Sequence, residues 1–355
     1  MRVVVVDDSA FVRTALTHTL EREPGIEVVA TAGDAYEARD RIVELDPHVV
    51  TLDLQMPRLD GVSFLRRLMT HHPMPVVVVS AFTSDGSAQA VEALEAGATH
   101  AIAKPPADGS REEFESRLVE AVKVAARTSV GVRGVQRWAE TGLAARHAPG
   151  AIVAIGASIG GPQALAEVVC ALPPSAPPVL LVQHMPAEFT RGFAARLDTL
   201  GAVRVREAEA GDIPEPGTVL VAPGGTHMVL LERPSGRVIE LRRGPAVSSH
   251  RPSIDVLFTS VARTAGSDAV GVIMTGMGHD GVAGLAAMRK AGAATLAQDG
   301  PTSVVFGMGK LALESGAAAE ALPLGRLTSR ILELAGARPS GKRDGHAHLG
   351  APAGA

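Results

Sequence analysis

Aromatic side chains make up only 3% of this 355-residue chain, with one Trp and one Tyr. Binders of single-stranded nucleic acid stack bases on aromatic rings, so that class is disfavoured. An excess of cations is missing too: 34 Lys and Arg stand against 38 Asp and Glu, a net charge of −4. A polyanion binder needs many cationic phosphate contacts, so no nucleic-acid partner is expected. The single cysteine, Cys170, excludes an intrachain disulfide and a multi-thiolate metal site. It reads as a small buried hydrophobe. No apolar run approaches the roughly 20 residues of a membrane span. The Val3–Val6 run enters Asp7-Asp8 directly and is too short for a signal peptide. A cytoplasmic protein with no membrane insertion is the expectation.

What is present is apolar material in quantity: 46% hydrophobic against 20% charged residues, enough for sizeable cores. The charge is unevenly placed. Residues 1–105 carry 9 basic and 15 acidic groups, whereas residues 150–335 carry 15 and 16. Residues 121–149 hold five basic groups and one acidic, with scattered Gly and a Pro149-Gly150 pair, and read as a linker. Residues 336–355 are Gly-, Ala-, Pro- and His-rich without apolar period and are expected to be disordered.

Both large segments alternate short β-branched runs with helical patterns. In the first segment the runs are Val3–Val6, Glu27–Thr31, Val49–Leu52, Val76–Ser80 and Ala98–Ala103. In the second they include Ile152–Ile155, Val179–Val182, Thr218–Val221 and Ala269–Met274. This is the βαβ pattern of parallel sheets covered by helices. It predicts two doubly wound α/β domains, residues 1–120 and 150–335, joined by the linker.

In open parallel sheets the binding crevice lies at the carboxyl ends of the strands. In the first segment those ends carry Asp7-Asp8, Asp53, Ser80 and Lys104-Pro105. Converging carboxylates repel one another and call for a hard divalent cation such as Mg²⁺. A free carboxylate beside a metal, a hydroxyl and an ammonium suits phosphoryl transfer, with the carboxylate as acceptor. Taken alone, Asp7-Asp8 would be a helix N-cap; the other strand ends argue for the site.

These residues, with Met56-Pro57 and Asp60-Gly61, make residues 1–105 resemble a response-regulator receiver domain. The resemblance implies a five-stranded doubly wound domain phosphorylated on Asp53 by a histidine kinase phosphodonor. It further implies Mg²⁺ held by Asp7, Asp8, Asp53 and the Gln55 carbonyl, with Ser80 and Lys104 as switch residues. Receivers often carry an aromatic three residues before the lysine; this chain has Ala101.

In the second segment the strand Ile152–Ile155 runs into Gly156-Ala157-Ser158-Ile159-Gly160-Gly161-Pro162. This G-x-S-x-G turn lifts a hydroxyl above the sheet edge, with helix N–H groups nearby for developing negative charge. No Gly-Lys-Ser/Thr is present for a P-loop, and Ser158 stands where a dinucleotide fingerprint has glycine. The next strand ends in Gln183-His184, and a later one leads through Thr275-Gly276-Met277-Gly278-His279 to Asp280. Ser158, His184 and Asp280 thus share one edge, where a Ser-His-Asp relay can form. The chain order Ser…His…Asp differs from that of α/β-hydrolases. Of the competing histidines, His147 lies in the linker, His227 follows a Pro-Gly-Gly turn and His279 adjoins Asp280. His250 precedes a helix and is a candidate to line the site.

Residues 150–335 resemble the catalytic domain of the CheB family, the protein-glutamate methylesterase/protein-glutamine glutaminases of chemotaxis. The stretches are Ile155–Gly161, Val182–Pro186, Ala222–His227, Arg251–Asp255, Thr275–Gly281 and Val304–Gly307. Gln298-Asp299 stands where the family commonly has Glu-Ala, and Gly309 where it has Pro; the expected consequence is for substrate fit. The resemblance implies a doubly wound, mainly parallel methylesterase domain. In it Ser158 is the nucleophile, His184 its base, Asp280 the orienting acid, and the backbone at Ile159 and Met277 the oxyanion site. It also implies methyl-accepting chemoreceptors as substrates and no cofactor for hydrolysis. A non-catalytic protein-binding output domain, or an esterase for another protein ester, remains the alternative.

Overall fold

The computed structural model describes residues 1–80, 84–105, 111–128, 147–234 and 236–336. The first unit has strands β1 (Arg2–Val6), β2 (Glu27–Ala32), β3 (Val49–Leu52), β4 (Val76–Ser80) and β5 (His100–Ala103). Helices α1 (Ala10–Glu21), α2 (Ala35–Leu45), α3 (Gly61–His71), α4 (Ser84–Glu95) and α5 (Arg111–Ala125) alternate with them. The sheet order is β2-β1-β3-β4-β5 and every pairing is parallel. Continuous valine runs suit strands covered on both faces, and Val3 to Val6 and Val76 to Val79 are buried throughout. Chain order reverses at β1, between β2 and β3, so the Asp7-Asp8 and Asp53 ends meet at that reversal.

Several strand ends differ from the sequence pattern by one or two residues, and two boundaries differ for an identifiable reason. β5 starts at His100 rather than Ala98, because the N–H groups of Ala96, Gly97 and Ala98 close the end of α4. The segment expected as linker from residue 121 opens as the end of α5, with Ala121, Val122 and Ala125 buried against the first sheet. Residues 129–146 of that segment and 337–355 of the tail lie outside the described residues.

The second unit is larger. Its strands are β6 (Ile152–Ala157), β7 (Val179–Gln183), β8 (Arg204–Glu207), β9 (Thr218–Val221), β12 (Ala269–Ile273), β13 (Ala294–Gln298) and β14 (Glu320–Leu322), in the order β14-β13-β12-β6-β7-β9-β8, all parallel. β10 (His227–Arg233) and β11 (Gly236–Arg242) form a separate antiparallel hairpin, which packs on α8 (Ile254–Ala265). The remaining helices are α6 (Gly161–Cys170), α7 (Ala187–Leu200), α9 (Val282–Lys290), α10 (Met308–Glu314) and α11 (Leu324–Gly336). Phe189 and Phe193 from α7 and Phe258 from α8 are fully buried, each contributing about 1.5–3 kcal/mol by leaving water. β6 lies between β12 and β7, so this sheet too has its chain reversal beneath one crevice.

The two units touch through α4, which packs on α6 and α7. Arg196 Nε of α7 lies 3.0 Å from Glu95 Oε2 of α4. Among the described residues no helix is long and apolar enough to cross a membrane.

Candidate functional site

The first crevice gathers the expected carboxylates. Asp7 and Asp53 are buried and Asp8 is exposed, and one oxygen from each lies within 4.8 Å of the others. Lys104 Nζ sits 2.7 Å from both Asp7 Oδ2 and Asp53 Oδ2. Burial pushes the Asp53 carboxyl above the usual carboxylate range, against the pull of Lys104. Burial works against the Lys104 charge too, but Asp53 and Asp7 outweigh it and hold the ammonium above its ordinary value. The Gln55 N–H donates to Asp53 Oδ1 at 3.3 Å and the Ser9 N–H to Asp7 Oδ1 at 2.9 Å. Ser80 is fully buried, and its carbonyl accepts from the Lys104 N–H at 2.7 Å. Three hard oxygen donors, one of them facing solvent, fit a hydrated divalent cation of the Mg²⁺ type.

The second crevice is built on β6, β7 and β12. Ser158 follows β6 directly, and its N–H donates to the Thr275 carbonyl at 2.9 Å. Gly160, with φ of +72°, makes the turn into α6; a Cβ there would run into Val304. His184 follows β7, and its Nε2 lies 2.8 Å from Asp280 Oδ2. Burial alone would raise the Asp280 carboxyl, but hydrogen bonds from His184, Ser253 and the Ile254 backbone hold it down at about 2. The carboxylate therefore only accepts, and His184 Nε2 carries the proton. His184 Nδ1 is left buried without a hydrogen-bond partner. Ser158, His184 and Asp280 are thus brought to one edge as the sequence predicts.

Two supporting residues, Ser253 and Gln183, were not singled out by sequence reasoning. Ser253 Oγ donates to Asp280 Oδ1 at 2.7 Å, while the N–H groups of Ile254 and Asp255 donate at 2.8 and 3.1 Å. Asp280 thus sits against the first turn of α8, where the helix dipole favours an anion. Ser253 before an apolar period is an N-cap signature, but its partner 27 residues away leaves no local signal. Buried Gln183 donates from Nε2 to the carbonyls of Ser158 at 2.8 Å and His184 at 3.2 Å, tying both together. Gln298, expected to affect substrate fit, is fully buried behind Thr275, where the loop to Asp280 starts. Its Oε1 accepts from the Thr275 N–H at 2.9 Å and its Nε2 donates to the Thr302 carbonyl at 2.6 Å. His227 is buried as well, with Nδ1 accepting from the Ser253 N–H at 3.1 Å. His250 stacks on His184, ring centroids 3.6 Å apart and 8° from parallel. Cys170 is half-buried and burial pushes its thiol up to about 11, which suits packing rather than reaction.

A groove of about 820 Å³ opens over the second crevice, and Ser158, Ile159, His184 and Met277 line one wall. The first unit also contributes to the lining, with His100, Ala101, Arg117 and Glu120. Among the described residues, the groove that holds the serine is therefore lined by both units.

Comparisons with known proteins agree with both crevices. Residues 153–331 match the CheB methylesterase family and residues 3–113 the response regulator receiver domain. The chain is 50% identical over 341 residues, 95% of each chain, to protein-glutamate methylesterase/protein-glutamine glutaminase 4 of Anaeromyxobacter dehalogenans. It is 46% identical over 347 residues, 95% of this chain and 99% of the relative, to protein-glutamate methylesterase/protein-glutamine glutaminase 1 of Caulobacter vibrioides. The crystal structure of the Thermotoga maritima CheB methylesterase catalytic domain superposes with a TM-score of 0.51 at 37% identity, covering 52% of this chain and 98% of that one. With a receiver at its amino end and this α/β unit after it, the chain belongs to the CheB methylesterase family.

Proposed function

We propose that this protein is a phosphorylation-regulated serine hydrolase of chemotaxis adaptation. It removes methyl groups from glutamate methyl esters of chemoreceptors and deamidates receptor glutamines. The observation that carries the reading is the His184–Asp280 bond beside Ser158, with His184 Nδ1 buried and unpartnered. An imidazole anchored by its Nε2–H keeps a lone pair for the serine proton.

Ser158 Oγ attacks the ester carbonyl and its proton passes to His184 Nδ1, giving an imidazolium that Asp280 stabilises. The oxyanion is held by backbone N–H groups at Ile159 and Met277, both on the groove wall. Collapse expels methanol, protonated by His184, and leaves an acyl-enzyme. Water, deprotonated by His184, then releases the glutamate carboxylate and restores Ser158. With a glutamine substrate the same steps release ammonia. No metal or organic group is required in this sequence.

Regulation belongs to the first unit, with Asp53 as phosphoryl acceptor from a histidine kinase. Asp7, Asp8, Asp53 and the Gln55 carbonyl would hold Mg²⁺, which supplies neutralisation of the phosphoryl oxygens. Lys104 adds a fixed positive charge beside Asp53, and buried Ser80 transmits the change to α4 without an aromatic at Ala101. The receiver wall narrows the way to Ser158, and phosphorylation shifts the population toward an opened groove. The deciding experiment is methanol release from methylated receptor, with wild type and Ser158→Ala, with and without a phosphodonor. Unchanged release by the alanine variant would refute the nucleophile.

A further inference from the structure

The loop before α8 delivers a second imidazole to the base. Val247 and His250 close a two-residue turn by reciprocal backbone bonds of 3.1 and 2.9 Å. The central residues Ser248 and Ser249 have φ of +50° and +66°, the left-handed region that serine occupies only at a cost. Strain of this kind persists where the surroundings enforce it, commonly at functional sites. Here its product is the His250 ring lying flat on His184, 3.6 Å between centroids.

The His250 tautomer is fixed as well. Its Nδ1 lies 2.6 Å from the Ser248 carbonyl, which only accepts, so Nδ1 carries the proton. Burial holds His250 well below the usual histidine range, at about 4, with His184 beside it acting in the same direction, so the ring is neutral near pH 7. The Asp280 bond anchors one corner of the His184 ring and leaves it able to tilt about that corner. A parallel ring against its face removes that freedom. Once His184 is protonated, the same neutral ring offers its π-face to the imidazolium.

We propose that His250 is a positioning residue for the base: its stacked ring locks the plane of His184, so that Nδ1 is held in one orientation for the proton transfer from Ser158. This rests on the reading of Ser158 and His184 as nucleophile and base. The hydrogen-bonding atoms of His250 are dispensable; its flat ring is what matters.

The test uses the full-length chain with His250→Ala, His250→Asn and His250→Phe, and Ser158→Ala as the blank. Two readouts run in parallel: kcat and KM for methanol release from methylated receptor, and the rate of Ser158 labelling by a fluorophosphonate, which needs no receptor. His250→Ala and His250→Asn are expected to lower kcat about 10- to 100-fold with KM little changed, and to slow labelling in step. His250→Phe restores both to within about threefold of wild type, because the stack is kept. Wild-type rates in the alanine and asparagine variants, or a change in KM alone, would overturn the proposal. So would a phenylalanine variant as slow as asparagine, which would mean a polar contact. If the alanine variant does not fold, phenylalanine against asparagine decides. Wild type that labels but releases no methanol removes the receptor reading while the labelling rates still judge the stack. Wild type that does neither removes the hydrolase reading itself.

Discussion

The Asp280 carboxylate accepts four hydrogen bonds at once: from His184 Nε2, Ser253 Oγ and the N–H groups of Ile254 and Asp255. Two of them come from the first turn of α8, so the carboxylate proposed as orienting acid is fixed to the start of a helix rather than only to its own loop. The base inherits that rigidity through its 2.8 Å bond to Oδ2. Asp280→Asn breaks this arrangement in a defined way. An amide has one acceptor oxygen and would turn N–H against a donor, forcing His184 into the tautomer whose Nδ1 holds a proton. The expected result is a fall in kcat of about 10³- to 10⁴-fold, read by methanol release. A loss below tenfold would show that Asp280 does not set the tautomer.

Acid stability follows from three groups. Asp280 is held at about 2 against an ordinary 3.8, so its stabilisation is complete above about pH 4 and is lost as pH falls toward 2. That amounts to about 2 kcal/mol for this buried carboxylate. His100 and His250 are both lowered from 6.5 to about 4, His100 by burial and His250 chiefly so. The unfolded chain takes up those protons first, so stability is full above pH 6.5 and drops as pH falls to 4. Urea midpoints measured across that window should decline steadily. His100→Leu should flatten the decline, and an unaltered slope would remove His100 from the account.

Gly161 offers a test of the clamp between nucleophile and base. A Cβ there would run into the Gln183 side-chain oxygen, so Gly161→Ala must displace the amide that bonds the Ser158 and His184 carbonyls. Losing that buried amide's bonds should cost about 1–3 kcal/mol of stability. Misplacing the two residues should lower kcat by roughly tenfold or more. Denaturant unfolding and methanol release measure the two effects separately; unchanged kcat would show that the clamp serves stability alone.

Much of this architecture was legible because it is local. Apolar β-branched runs of four to five residues marked β1, β3, β4, β7 and β9, and strand-end residues named Asp7, Asp8, Asp53, Ser158 and His184. What stayed hidden is long-range. Nothing near Ser253 reveals a bond to a carboxylate 27 residues later, nor does Gln298 announce that its amide props Thr275, 23 residues earlier. The His250 stack depends on a turn with two left-handed serines, a conformation that sequence rules reserve for Gly, Asn and Asp. The end of α4 was misjudged because Ala98 satisfies a helix carbonyl instead of starting a strand.

Metal removal should separate the two crevices. The carboxylates at Asp7, Asp8 and Asp53 lie in the first unit, whereas the hydrolytic steps proposed at Ser158 use no metal. Chelation with EDTA is expected to abolish stimulation by a small-molecule phosphodonor and to leave basal methanol release unchanged. Asp8→Ala should reproduce this, since Asp8 is the solvent-facing carboxylate of the three. Phosphodonor stimulation that survives chelation would exclude a metal requirement. Loss of basal release on chelation would overturn the metal-free hydrolysis.

The contact between the units offers the last test. Glu95 on α4 and Arg196 on α7 pair at 3.0 Å, and α4 directly follows the strand that ends in Ser80. The pair therefore joins the helix that follows Ser80 to the second unit, across the contact proposed to restrain access to Ser158. Burial pushes the Glu95 carboxyl up, while Arg196 opposes that shift and favours its charged form. Arg196 is 43% exposed, so the pair is partly screened and worth no more than about 1 kcal/mol. Glu95→Gln keeps the side-chain shape and removes the charge. If the pair helps hold the narrowed state, basal methanol release by unphosphorylated protein should rise by up to about fivefold. The phosphorylated rate should stay the same, because the pair is already spent in the opened state. Arg196→Ala should match it. Basal release that falls, or that rises equally with and without phosphodonor, would show that the pair does not restrain the units.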